Sequence, residues 1–195
     1  MPGTMSILYH LAEQQAGYFT TAQAVEAGVS RRALSGRAKR GDIHQVRHGL
    51  YRLRHFPAHP FEDVTAACLW VGPDSAASHE TALAVHGISD AMPASIHITV
   101  PRSFRGQQRG VVVHRAPLPD EDREVRDSVP VTTIARTLQD VVTSSDPALV
   151  EQAVEQAVAR GVLNRQQLRS MVCDTPALAP LVVTTLVWYL QDSQS

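Results

Sequence analysis

At 195 residues the chain is long enough for two small domains, each with a working core, and its formal charge is −1. Its two cysteines, Cys68 and Cys173, lie far apart with no second Cys or His at metal-ligand spacing, which excludes a disulfide framework and fits a reducing cytoplasm. The longest apolar stretch, Leu178 to Leu190, is broken by Pro180, Thr184 and Thr185 and is too short to span a membrane, and no positive segment with an apolar run opens the chain, so a soluble cytoplasmic protein is expected.

Charge is unevenly placed. Up to Arg54 there are 8 basic and 3 acidic residues, a net of +5, whereas the remainder carries 10 against 16, a net of −6. A basic head on an acidic body suggests that the head meets a polyanion, while the body meets something else or simply stays soluble. In chain order, Ile7, Leu8 and Leu11 at helical spacing predict a first helix over about residues 4 to 16, stopped at Gly17. Thr20 or Thr21 caps a short second helix ending near Ala27. Gly28-Val29 makes a tight turn, and Ser30 caps a third helix to about Arg40, before Gly41. This is the layout of a helix-turn-helix. Placed at ~100° steps, Leu34 and Ala38 share the core face, and Arg32, Ser35, Gly36, Lys39 and Arg40 fan over the opposite side. Such a face suits a major groove, where Arg and Lys donate to guanine, Ser bonds either way, and Gly36 permits close approach.

His48-Gly49 as a two-residue turn pairs Arg47 with Leu50 and Val46 with Tyr51. Alternation then sets Val46, Tyr51 and Leu53 on one face and Gln45, Arg47, Arg52 and Arg54 on the other, a basic hairpin that reads as a wing. Arg47 and Arg52 are expected to position phosphates rather than read sequence. The segment from His55 to Phe61 has two prolines and no periodicity, and reads as a linker between domains at 1–55 and 60–195.

In the body, helices are predicted over about Phe61 to Val71 and Ala76 to His86, then strands Ser95 to Val100 and Gly110 to Arg115 around a polar, basic loop. The acidic stretch Asp120 to Asp127 is expected to be a solvated loop, with masking of a basic partner surface as the alternative. A short strand at Val129 to Val131 follows, and then helices capped by Thr133, by Asp146 with Pro147, and by Asn164. The helix from Leu178 to Leu190, with Trp188 and Tyr189, reads as a core helix before a partner face. The fold class is α+β: a winged helix-turn-helix, then a mixed α/β domain with a helix-rich end.

The runs SHETALAVHG (Ser78 to Gly87), IHITVPR (Ile96 to Arg102), VHRAPL (Val113 to Leu118) and VPVTTIARTLQDV (Val129 to Val141) follow a wing of the form HQVRHGLYRL. Together they resemble the AbiEi family of type IV antitoxins over roughly residues 5 to 145. The resemblance implies a winged-helix domain that represses its own operon and a C-terminal domain that counters a nucleotidyltransferase-type toxin, directly or functionally. It implies DNA contacts from Ser30, Arg31, Arg32, Lys39 and Arg40, and from Arg47 and Arg52 on the wing. Ser35 joins them through its place on the outer helix face. A stand-alone winged-helix regulator, whose body dimerises or senses a ligand, is the alternative.

Catalytic patterns are missing from the sequence. His79-Glu80 lacks the second His at i+4 of a zinc-protease helix, and His86 comes at i+7, so helix packing is expected for both histidines. His97 and His114, on adjacent strands, are expected to pair across the sheet. No G-x-S-x-G surrounds Ser78, and neither a P-loop nor G-x-G-x-x-G occurs. Lys39 is the only lysine and lies on the third helix, so no D/E-x-K nuclease site exists. The sequence thus predicts a non-enzyme with no cofactor and no metal, whose partners are double-stranded operator DNA and a toxin.

Overall fold

The computed structural model describes residues 3–182, so most of the helix expected over Leu178 to Leu190, with Trp188 and Tyr189, lies outside the described residues. The fold is α+β, with a three-stranded sheet in the head and a five-stranded sheet in the body. No helix among the described residues is long and apolar enough to cross a membrane.

In the head, α1 (Thr4–Glu13) buries Leu8 and Ala12. It ends before residue 16 because Ala16 and Gly17 turn the chain with φ of 52° and 87°, and a Cβ on Gly17 would meet Phe56 at 2.7 Å. A strand absent from the sequence reading follows, β1 (Tyr18–Thr20). Its three residues are too few to show a period, yet Phe19 is fully buried and stacks on Tyr51 at 5.7 Å between ring centroids. Thr20 and Gln23 form a capping box for α2 (Thr21–Glu26). Ser30 caps α3 (Arg31–Arg40) through Ala33 N–H, and Gly41, in the left-handed region at φ 78°, closes it.

The wing is β2 (Ile43–Arg47) and β3 (Leu50–Leu53), and β3 lies between β1 and β2. Arg47 pairs with Leu50 as expected, but the register shifts between Gln45 and Arg47, so Gln45 and not Val46 faces Tyr51. An unbroken register would set His44 opposite Leu53 and send the two apolar residues, Ile43 and Leu53, to different faces. The bulge brings Ile43 opposite Leu53, where both are buried, and leaves Val46 47 % exposed.

In the body, α4 (Glu62–Val71) packs on a sheet whose strands lie in the order β6 (Val111–Arg115), β5 (Ile96–Val100), β4 (Ala76–Ala77), β8 (Val129–Thr132) and β7 (Arg123–Arg126). The helix expected to start at Ala76 begins only at His79. Ala76–Ala77 form the central strand β4, antiparallel to β5 (Ile96–Val100) and parallel to β8 (Val129–Thr132), and both alanines are fully buried. Ala77 lies in the apolar cluster that α4 makes with the sheet. α5 is His79–His86, and β6 (Val111–Arg115) runs parallel to β5. The acidic stretch is solvated, with Asp120, Glu121 and Glu124 exposed, but it is not a loop throughout: it makes a 3-10 turn at Asp120–Asp122 and then β7 (Arg123–Arg126), a hairpin partner of β8. α6 (Ile134–Val141), α7 (Pro147–Ala159) and α8 (Arg165–Asp174) take the expected caps and bury Leu83, Leu138, Val154 and Leu168 together. Arg136 on α6 reaches Asp122 at 2.7 Å and Asp140 at 2.9 Å, and donates to Pro117 O, tying the acidic turn to the helices.

Head and body touch. Ala16, Tyr18 and Leu50 form a small apolar cluster with Ala66 and Leu69 of α4.

Candidate nucleic-acid interface

The orientation of α3 is set by Leu34, fully buried among Leu8, Phe19, Ala24 and Val29. With that side fixed, helical geometry sends Arg32, Ser35, Lys39 and Arg40 outward, and all four are exposed, as are Ser30 and Arg31. Arg31, Arg32 and Lys39 have no ion pair or hydrogen bond from the side chain among the described residues. Ser30 Oγ accepts from Ala33 N–H at 3.2 Å and keeps its own hydroxyl proton to donate. Arg40 lies 3.5 Å from Asp42 and stays mostly exposed. The half-buried Arg37 holds Asp42 at 3.0 Å, and that hydrogen bond keeps the Asp42 carboxyl below the usual carboxylate range. Gly36 lies within this basic fan, and a Cβ there would meet only the tip of Arg40, at 3.5 Å. A shallow cleft lined by Arg31, Gln45, His48 and Tyr51 separates the helix from the wing.

The two wing arginines are not on this surface. Arg52 donates to Glu62 of α4 at 2.7 Å and to Pro57 O, and its guanidinium stands 5.5 Å from the centre of the Tyr18 ring. Arg47 stacks over Trp70 of α4 at 4.8 Å. Both cations hold the wing against the body. Of the eight residues singled out from the sequence, six therefore gather on or beside α3 and two lie at the contact between head and body. Glu62 and Trp70 were missed as their partners. A carboxylate and an aromatic at i and i+8 of the next helix were the available signal, but alone they read as ordinary helix residues.

Among the histidines, His86 is buried and bonds Thr132 O at 2.7 Å through Nε2; burial holds its pKa below the usual value, against the opposing pull of that carbonyl and of Glu124. His97 and His114 do meet across the sheet, with 3.0 Å between ring nitrogens.

Two family models match the chain. One, described as a transcriptional regulator, AbiEi antitoxin, covers residues 6–54. The other, described as the AbiEi antitoxin C-terminal domain, covers residues 65–181. Among solved structures, the crystal structure of the RV2827C protein from Mycobacterium tuberculosis is similar, with a TM-score of 0.53 at 15 % identity, over 95 % of this chain and 78 % of that one, which is a likeness of fold. No curated protein matches.

Proposed function

The chain belongs to the AbiEi antitoxin family, and from that premise we propose that it binds its own operator with α3 in the major groove and, through its body, counters a nucleotidyltransferase-type toxin. The observation that carries the DNA half is the unpaired cationic face of α3: Arg31, Arg32 and Lys39, joined by Arg40, Ser30 and Ser35, around a glycine that allows close approach. Arg32, near the middle of the outer face, reads a base; Arg31 and Lys39, at the two ends, take phosphates. Arg47 and Arg52 act indirectly, fixing the wing so that the cleft beside Arg31 stays open.

The toxin half rests on the family of the C-terminal segment, whose action on the toxin is direct or functional. The test uses the full chain. Replacing Arg31, Arg32 and Lys39 together by Ala abolishes operator binding and repression, yet the variant still rescues cells in which toxin and antitoxin are driven by unrelated promoters. Failure of the unaltered chain to rescue in that arrangement refutes the toxin half and leaves a stand-alone regulator. Retained operator binding by the triple variant refutes the assignment of α3.

A further inference from the structure

Where the first residue of α5 meets β5 and β6, three imidazoles converge: His79, His97 and His114. One ring nitrogen from each lies within 4.8 Å of the others. The closest pair, His97 Nδ1 and His114 Nε2, is 3.0 Å apart, and the His79 ring is stacked on that of His114, 3.8 Å between centroids and 17° between planes, so His79 has to turn out of the stack to aim a nitrogen at an ion that His114 also holds. Two imidazole nitrogens bound to one zinc ion at about 2.0–2.1 Å and tetrahedral angles stand about 3.3 Å apart, so the pair is already near the spacing a shared cation requires.

A hydrogen bond between His97 and His114 explains their own approach, but it leaves His79 unexplained. That residue takes φ 53°, in the left-handed region, at the very start of a helix, a strained choice for a side chain larger than glycine. Ser78, in the capping position, makes no cap; its fully buried hydroxyl instead accepts from Thr99 Oγ1 at 2.8 Å and lies 3.0 Å from His79 Nδ1. The serine engages one nitrogen and leaves Nε2 for a ligand once the ring turns toward the other two, as outer partners of metal-bound histidines do.

We propose that His79, His97 and His114 bind one divalent transition-metal ion of the zinc class through three imidazole nitrogens, with a fourth position open to water. All three rings are half-buried, which lets an ion enter. Burial, then the neighbouring His114 and His97, push the His79 pKa down to about 4, and burial followed by His97 lowers that of His114, so protons compete weakly for these nitrogens at neutral pH. On binding, His97 and His114 each keep one ring proton on the nitrogen turned away from the ion. Arg136, the cation felt at His79, is balanced by Asp122 and Asp140.

The experiment uses the untagged full chain, stripped with a chelator and titrated with Zn²⁺ in competition with a chromophoric chelator, and separately with Co²⁺. One equivalent per chain is expected, at micromolar affinity or tighter, with the visible bands of low-symmetry four-coordinate Co²⁺ and no thiolate charge-transfer band. His114→Ala weakens binding at least 100-fold, and Ser78→Ala roughly 10- to 100-fold. Circular dichroism reports whether each variant is folded. For any that is not, proton resonances of the unaltered chain under Co²⁺ take its place, and those shifted most must belong to these three rings. Absence of one-to-one binding, equal binding by folded His114→Ala, or shifts centred on other histidines overturns the proposal.

Discussion

Replacing Gly36 by Ala separates the stability of α3 from its use. Gly36 is helical, and the added Cβ finds nothing closer than the flexible tip of Arg40 at 3.5 Å, an ordinary contact. The substitution therefore gains the full difference in helix propensity, ~0.8–1.0 kcal/mol. With a urea slope of ~1–3 kcal/mol per molar, the unfolding midpoint rises by about 0.3–1 M. The same change at Gly41 has the opposite sign: φ there is 78°, and the new Cβ would stand 2.6 Å from Arg54 Nη1, which donates to Gly41 O. A left-handed residue with a side chain costs ~1–2 kcal/mol, so the midpoint falls. Operator affinity, read by anisotropy on a labelled duplex, moves against stability for Gly36→Ala. If this face lies on base edges, an extra methyl overpacks it by ~1–2 kcal/mol, and binding weakens roughly five- to thirtyfold in a more stable protein. An unchanged affinity refutes the placement of Gly36 in the groove, and midpoints that move in the same direction refute the limits of α3.

The salt dependence of operator binding should reflect the three α3 cations that face phosphates, Arg31, Lys39 and Arg40, and not the wing, with log K against log salt at a slope of roughly −2 to −3; Arg31→Ala with Lys39→Ala flattens it by about 2, and Arg52→Ala leaves it unchanged, a change of slope for Arg52 counting against its role as a tether. Arg136→Met leaves the largely buried Asp140 without its cation and lowers unfolding stability by ~3–5 kcal/mol in urea titrations, with Asp140→Asn in the same chain restoring much of it; a loss below about 1 kcal/mol would show that the triad is exposed to solvent. His86 has a folded pKa below its ordinary 6.5, so the native state binds fewer protons than the unfolded one, and its contribution is present above that pH and lost as pH falls below it. The urea midpoint should therefore drop more between pH 7 and 5 in the native chain than in His86→Gln, and parallel curves would refute the assignment.

What could be read from the sequence was what is encoded within a few residues. The caps at Ser30 and Asn164, the closure at Gly41 and the buried face carrying Leu34 are local, and the helix-turn-helix followed from them. β1 and β4 were not legible, because strands of three and two residues have no period and exist through pairing with β3, β5 and β8. The bulge at Val46 arises from the demand that Ile43 and Leu53 be buried together, a condition on the sheet and not on either strand. Charge pattern could not show where Arg47 and Arg52 would lie: alternation placed them on one side of the hairpin, but that side meets α4, and only the fold brings Glu62 and Trp70 there. His79 was weighed against His86 along its helix, while its neighbours in space came from strands beginning 17 residues further on.

The clasp formed by Arg47 on Trp70, Arg52 on Glu62 and Leu50 on Leu69 turns two modules into one lever. With α3 docked on a duplex as proposed, its aim would be passed to the body through these contacts. A second copy docking on the body would then be delivered at a set angle along the operator, and half-site spacing would depend on the body as much as on the reading helix. The four residues Pro57–Pro60 that join the halves are bound into the clasp, Pro57 O accepting from Arg52 and His59 N–H donating to Glu62, so a single change at Glu62 slackens the lever and its tether together.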